Sequence, residues 1–444
     1  MKKVLEVREF ETITCNKEWK DKSIYRYVDK KHFDELEHFI KNYTTEEEDS
    51  DSLEFMKIGY RRNVGDTITF NSNVGIIELP SGFQIEVLPK VSFDESDGDY
   101  SKTKKVFLMM LRCLKEFEGK SFNSASLNSD RMNLYEIFIN MFIKETWNLV
   151  KHGLKSSYLA KEENLRFFKG KLQMANHIKL NAAHKEHFYM QYDEYQLNRP
   201  ENRLVKATLL KLQKQTTSSA NVKEIRQLLS SFEFVEPSVN YAKDFSKVTI
   251  NRNTKDYALL MQWAKIFLLN KSFTTFSGEK TGKALLFPME QIFEAFVAKW
   301  IRNIFEERGS HTMRVNVQTQ DSGYYLFDQP RKFRLRPDIV VSYEKDGVPG
   351  TIILDTKWKQ LKPDPRCNYG ISQADMYQMY AYAKKYHTPD IWLLYPKNSD
   401  MKDMGDITFQ AIQGEDQEVR VNVFFVDLEK YHESINELYK RCFI

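Results

Sequence analysis

Apolar residues recur along the second half of this chain with two different periods, and the switches between them predict the order of its elements. Phe293, Phe296, Val297, Trp300, Ile304 and Phe305 fall on one helical face, so Pro288–Arg308 reads as an amphipathic helix with a buried stripe. Met313–Val317 follows as a strand. Arg336-Pro337-Asp338-Ile339-Val340-Val341 and Ile352-Ile353-Leu354-Asp355-Thr356-Lys357 then flank Asp346-Gly347. An Asp-Gly pair between β-branched runs is a strong hairpin signal. Gln373 opens a helix through about Tyr386. Strands at Ile391–Tyr395 and Val421–Val426 and a closing helix complete the segment.

The first half is patterned differently. Val64–Lys90 is strand-rich, with Ile76, Ile85 and Val87 among its alternating positions. Helices dominate afterwards: Lys104–Phe117, Leu134–Lys151, Arg199–Lys214, Val222–Phe232 and Asp256–Leu269. The acidic stretches Thr44–Ser52 and Ser92–Thr103 read as solvated loops, and Ser272–Lys283 as a linker. The expected fold is mixed α+β, with a strand-rich N-terminal domain (1–100), a mainly helical middle region (101–275) and a C-terminal α/β domain (284–444).

Composition narrows the choice of partners. The 66 basic and 62 acidic residues leave a net charge of only +4, so any nucleic-acid contact must be local or shared with a partner. Cys15, Cys113, Cys367 and Cys442 are scattered without a Cys-x-x-Cys pair, which suggests neither a disulfide framework nor a zinc site. The start is charged too early for a signal peptide. The longest apolar stretch, Tyr257–Leu269, is broken by Gln262 and Lys265 and is too short to span a bilayer. The expectation is a cytoplasmic protein with no membrane contact.

Candidate chemistry lies in the hairpin. A turn centred on Asp346-Gly347 sets Asp338 directly across from Asp355. Facing side chains have Cβ atoms about 4.5–5.5 Å apart, so two anions there repel unless a cation lies between them. Strand parity puts Lys357 on the Asp355 face and turns Thr356 away. Pro-Asp, a spacer and Asp-x-Lys is the pattern of the PD-(D/E)xK phosphodiesterases. Pro389-Asp390 followed by Asp400-Met401-Lys402 has the same spelling, but no apolar strand leads into its turn-rich loop. Phosphodiester hydrolysis needs a neutralised phosphate and a deprotonated water, and a hard cation on oxygen ligands supplies both. Asp338, Asp355 and the Thr356 carbonyl are the candidate ligands for Mg²⁺, or for Mn²⁺. Lys357 would orient or deprotonate the water, or stabilise developing negative charge. Glu294 is either a helix-edge acid or a third acid of the site, and Arg334 and Arg336 are either DNA-backbone contacts or ordinary strand charges.

The order helix, three strands, helix, strand is that of a restriction-endonuclease core. Gln373 and Tyr377 share a helix face, and the pair resembles the Gln-x-x-x-Tyr helix flanking the active site of RecB-like nucleases. Two other motifs lead nowhere. Gly278-Glu279-Lys280-Thr281-Gly282-Lys283-Ala284 has a phosphate-loop spacer one residue short and Ala in place of Ser or Thr, so no nucleotide is expected on this chain. His184-Lys185-Glu186-His187 is not His-Glu-x-x-His.

Several segments together resemble the McrC family. Val74–Leu79 with Ile85–Lys90 is similar to its N-terminal region, and Phe168–Leu172 and Asn198–Arg203 to its middle signatures. Pro288–Val297 is similar to the entry to its nuclease domain, and Asp375–Tyr382 to its late helix. The resemblance implies the nuclease subunit of a modification-dependent restriction system that cuts double-stranded DNA containing methylcytosine. It also implies a partner, a McrB-like hexameric AAA+ GTPase, whose hydrolysis the N-terminal half stimulates on entering the ring. The family's catalytic pattern falls on Asp338, Asp355 and Lys357. The competing expectations are a protein that is chiefly an activator of the ring, and a stand-alone RecB-like nuclease.

Overall fold

The computed structural model describes residues 4–20, 22, 24–44, 55–91, 100–114, 133–269, 283–309, 313–317, 324–345, 347–398, 401, 407–411 and 418–443. The two acidic loops largely fall outside these residues, as do Asp346, the phosphate-loop-like glycines, Asp400 and Lys402. The N-terminal part comprises β1 (Val4–Arg8), β2 (Thr12–Thr14), β3 (Arg26–Tyr27), α1 (Lys30–Thr44), β4 (Met56–Arg61), β5 (Gly65–Phe70), β6 (Asn73–Glu78), β7 (Gln84–Leu88) and α2 (Ser101–Leu111). The middle runs α3 (Leu134–His152), β8 (Ser157–Leu165), β9 (Lys171–Leu172), α4 (Met174–Asn181), β10 (Phe188–Gln196), α5 (Pro200–Gln215), α6 (Ser219–Ser231), α7 (Tyr241–Lys247) and α8 (Ala258–Leu269). Then follow β11 (Lys283–Pro288), α9 (Met289–Gly309), β12 (Met313–Val317), β13 (Tyr325–Asp328), β14 (Arg331–Arg334), β15 (Ile339–Lys345) and β16 (Val348–Thr356). The chain ends with α10 (Gln373–Tyr386), β17 (Asp390–Pro396), β18 (Ile407–Ala411), β19 (Val419–Val426) and α11 (Tyr431–Phe443).

These elements form two compact units. One joins the two ends of the chain, Met1–Ser121 with Leu286–Ile444, and the other contains Met132–Leu285. The composition-based boundaries separated the ends, whereas the structure packs them together. Residues 283–288, from the last residue of the expected linker onward, become β11 at the edge of the N-terminal sheet β1-β7-β6-β11. A second N-terminal sheet has the order β3-β2-β5-β4. In β7, Glu86 is buried among apolar neighbours, a position tolerated only with a partner, and Lys104 of α2 supplies one at 2.8 Å.

The C-terminal sheet has the order β12-β15-β16-β17-β19-β18, antiparallel at β12–β15–β16, parallel through β16–β17–β19, and antiparallel again at β18. Its hairpin pairs Lys345 with Val348 and Ile339 with Leu354, so the turn is two residues long and the register is the expected one. Gly347 has φ 79°, as a turn of the primed type requires. Val340, Ile353, Ile391, Leu393, Tyr395, Val421 and Val423 pack on one face with Met379, Tyr382, Ala383 and Tyr386 of α10. Alternation sends Ile339, Ile352, Leu354 and Leu394 to the other face.

The middle unit holds the expected helices and also strands that were not expected. β8 pairs with β10 from Ser157↔Gln196 to Leu165↔Phe188. Both strands are rich in charge, and the long excursion between them offers no tight-turn signal. The helices bury Phe138, Phe142, Trp263 and Phe267 together, with Trp263 and Phe267 stacked at 5.6 Å. No helix among the described residues is long and apolar enough to cross a membrane.

Candidate active site

Strand β16 ends in Asp355-Thr356, and Lys357 leaves it directly. The Lys357 backbone N–H donates to the Leu394 carbonyl at 2.9 Å, fixing the chain just past the strand. Asp355 follows Ile353 by two, so it lies on the α10 face, and it is almost wholly buried, at 1% exposure. Asp338 sits one residue before β15. Pro337 has no N–H for a ladder, which keeps the strand from starting earlier. Its Oδ2 accepts from the Thr356 backbone N–H at 2.8 Å and from the Thr356 hydroxyl at 2.6 Å. Thr356 is therefore not simply turned away: it anchors one oxygen of Asp338 across the hairpin. The described contacts assign no ligand role to its carbonyl.

The Lys357 ammonium lies 2.6 Å from Asp355 Oδ2 and donates to Gln378 Oε1 at 3.2 Å. Gln378 in turn donates to the Tyr382 hydroxyl at 2.7 Å. Burial, and then the neighbouring Asp338, push the Asp355 carboxyl up to about 7 against the opposing pull of Lys357. Burial also raises Asp338, partly offset by the Thr356 hydrogen bonds. Burial by itself would lower Lys357, but Asp355, Asp338 and Asp375 outweigh it and hold the amine above its ordinary value. A site in which two acids compete for one amine is short of positive charge.

Asp338, Asp355, Thr356, Lys357 and Gln378 line a cavity of about 720 Å³ together with Glu290, Glu294 and Asp375. Glu294 thus belongs to the cavity wall. Gln373 and Tyr377 do not: both are exposed, and they hydrogen-bond each other at 2.5 Å. The spelling Gln-x-x-x-Tyr occurs twice in succession, and it is Gln378 and Tyr382 that face the site. The apolar stripe Met379-Tyr382-Ala383-Tyr386 selects that register, because Asp375 and Gln378 lie beside it while Gln373 and Tyr377 lie off it. Of the two readings of Arg334 and Arg336, the placement favours ordinary surface charges: Arg334 ends β14 in a separate hairpin, Arg336 is exposed between strands, and neither lines the cavity. Phe10, Lys90, Glu290, Asp375 and Gln378 were not anticipated.

The donor set suits a hard divalent cation. Asp338 and Asp355 are oxygen donors with raised proton affinity, and Asp338 has one oxygen pinned by Thr356 while the other stays available. Elsewhere, His184 and His187 each lie 3.3 Å from Glu186. Among the described residues this is the one group of three whose donor atoms draw within 4.8 Å. His184 and Glu186 there are exposed and His187 is half-buried, unlike the buried Asp355 of the acid cavity.

The McrBC 5-methylcytosine restriction system component family matches residues 68–396. The chain belongs to this family, as an McrC-type member. Among solved structures it is similar to a chain in a half-complex from the tetradecameric assembly of Thermococcus gammatolerans McrB AAA+ hexamers with bound McrC. That similarity is 19% identity and a TM-score of 0.66, over 98% of this chain and 100% of that one. It is also similar to a chain of the cryo-EM structure of the T. gammatolerans McrBC complex, at 20% identity and a TM-score of 0.47, over 68% of this chain and 88% of that one. No curated protein matches it.

Proposed function

We propose that the chain is the DNA-cutting subunit of a McrBC-type restriction system. In this reading residues 284–444 form a PD-(D/E)xK restriction-endonuclease-like domain that hydrolyses phosphodiesters of methylcytosine-containing DNA. The observation that carries it is buried Asp355 and half-buried Asp338 in one cavity with Lys357. Asp338 and Asp355 would hold Mg²⁺ or Mn²⁺, which when bound neutralises phosphate charge and acidifies water. Thr356 fixes Asp338 for that task, and Gln378 holds the Lys357 amine toward the cavity. Lys357, kept protonated by its acidic neighbours, is suited to orienting the attacking water and to stabilising charge that develops on the phosphate.

A McrB-like AAA+ GTPase hexamer is the partner in this reading, and the chain stimulates its hydrolysis. Support for a docking role comes from the middle unit. Tyr158, Phe167, Phe168, Met174, Ile178 and Tyr195 are all more than half exposed around β8, β10 and α4, a density of apolar surface that a free-standing domain seldom keeps. Within the N-terminal half, the ring contact is therefore assigned to this unit.

The test is Asp355→Asn, assayed for cleavage of methylated DNA with the partner, GTP and Mg²⁺. Cleavage should drop by about three orders of magnitude or more while stimulation of the partner's GTPase persists. Undiminished cutting would remove the nuclease reading, and lost stimulation with intact folding would show that the two roles are not separable.

A further inference from the structure

The N-terminal sheet reaches the cavity described above. Phe10 lies just past β1 and Lys90 just past β7, and both line it alongside Asp338, Asp355 and Lys357. Their placement is held by several bonds. Glu9, 3% exposed, accepts from the Lys90 backbone N–H at 3.0 Å and from the Trp358 indole at 3.0 and 3.1 Å. Gln360 donates to the Lys90 carbonyl at 3.0 Å. The segment that follows Lys357 is thereby fastened to the N-terminal sheet. The Lys90 ammonium donates to the Trp358 carbonyl at 3.0 Å and stands 4.5 Å from the centre of the Phe10 ring. Phe10 itself is left 51% exposed, with a left-handed φ of 65° that swings it out of line with β1.

Charge gives the arrangement its meaning. Five carboxylates line the cavity (Glu290, Glu294, Asp338, Asp355 and Asp375) against three amines (Lys90, Lys357 and Lys359). Without a cation a phosphodiester entering such a wall meets net repulsion; a divalent ion on Asp338 and Asp355 would only neutralise the wall, so attraction for a neighbouring phosphate falls to the amines. Lys357 is already committed to Asp355. An ammonium has three N–H donors, and the Trp358 carbonyl takes one from Lys90, so the geometry leaves Lys90 able to donate to a phosphate oxygen.

We propose that Lys90, braced by Phe10, is a substrate contact of the cutting site, gripping a DNA phosphate beside the scissile one. The N-terminal sheet would then be part of the substrate-binding surface as well as a neighbour of the nuclease sheet. This rests on the nuclease reading, and the experiment separates the two. Lys90→Met and Lys90→Arg are made in the full chain with its partner. Binding of methylated duplex DNA is followed against salt by fluorescence anisotropy in an Asp355→Asn background, and cleavage in the Asp355 parent. Lys90→Met should weaken binding about tenfold, lower the slope of log affinity against log salt by about one, and raise KM more than it lowers kcat, while Lys90→Arg restores most of the loss. Lys90→Met that leaves affinity and salt slope unchanged overturns the proposal. So does a loss that tracks lowered melting temperature and is not rescued by Arg. If the parent fails to cut, or Asp355→Asn still cuts, the nuclease reading falls, and the binding arm still decides whether Lys90 contacts DNA.

Discussion

The Asp355 and Glu9 carboxyls share one feature: burial drives each up to about 7. At Asp355 the largest cause after burial is a second acid, Asp338, whereas at Glu9 the neighbouring acid, Glu290, is the smallest of the causes. Glu9 is instead held by the Trp358 indole and the Lys90 backbone, and burial outweighs the pull of Lys90 and Trp358 on its proton. Its ordinary value is 4.5, so the folded chain binds the Glu9 proton more tightly than the unfolded chain does. Stability contributed by that proton is present below the unfolded value, declines as pH rises through the window between the two, and is gone above about 7. Glu9→Gln keeps an acceptor for the indole and removes the titration. Between about pH 5 and about pH 8 the parent should therefore lose on the order of 3 kcal/mol relative to Glu9→Gln, read by guanidinium unfolding at each pH. Parallel pH profiles would exclude the assignment. At this scale the sequence was informative where chemistry is local. Asp338, Asp355 and Lys357 lie within one hairpin, whose Asp-Gly turn sets the register. Glu9, Phe10 and Lys90 gain their meaning only from Trp358, far along the chain, and no short pattern records that.

Strand and helix faces explain which of the remaining expectations hold. Helix α10 begins cleanly because the Ser372 side chain accepts from the Asp375 N–H at 3.0 Å. From that start, its apolar stripe rotates Asp375 and Gln378 toward β16 and leaves Gln373 and Tyr377 in solvent. The motif was legible as a spelling but ambiguous in register, and the buried stripe breaks the ambiguity. The consequence is a paired prediction. Gln378→Ala frees the Lys357 amine from its second partner and should cut cleavage by roughly 10- to 100-fold, the range seen when groups that orient a site's ligands are removed. Gln373→Ala should leave the rate within about twofold, since it breaks only an exposed bond to Tyr377. Equal effects of the two substitutions on single-turnover cleavage would mean that the wrong face has been assigned. The strands β8 and β10 were missed for a related reason. Their pairing is long and regular, but charged side chains on both obscure the alternation that marks a half-buried strand.

The whole molecule is organised around a unit that neither end of the chain makes alone. Composition pointed to three successive domains because linkers are visible as polar stretches, whereas the packing that rejoins the ends is carried by scattered apolar positions. Phe107 of α2 meets Phe287 of β11 at 6.1 Å, and Phe293 of α9 meets Trp358 at 5.4 Å. Trp358 then bonds Glu9. A fragment ending near residue 280 keeps β1 to β7 but loses β11 from the sheet edge and Trp358 from Glu9, leaving a buried carboxyl without its indole donor. A fragment of residues 286–444 keeps the acid pair but strips Glu9 and Lys90 from Trp358 and Phe107 from Phe287. The middle unit, Met132–Leu285, has its own aromatic core. Thermal melts followed by circular dichroism should therefore rank the pieces. Residues 132–285 should melt cooperatively, while residues 286–444 alone should melt at least about 10 °C below the full chain or without a sharp transition. Co-expression of 1–121 with 286–444 should restore a single sharp transition. A fragment of 286–444 that melts as sharply and as high as the full chain would show that the C-terminal sheet is self-sufficient, and would make the bond between Glu9 and Trp358 incidental to its fold.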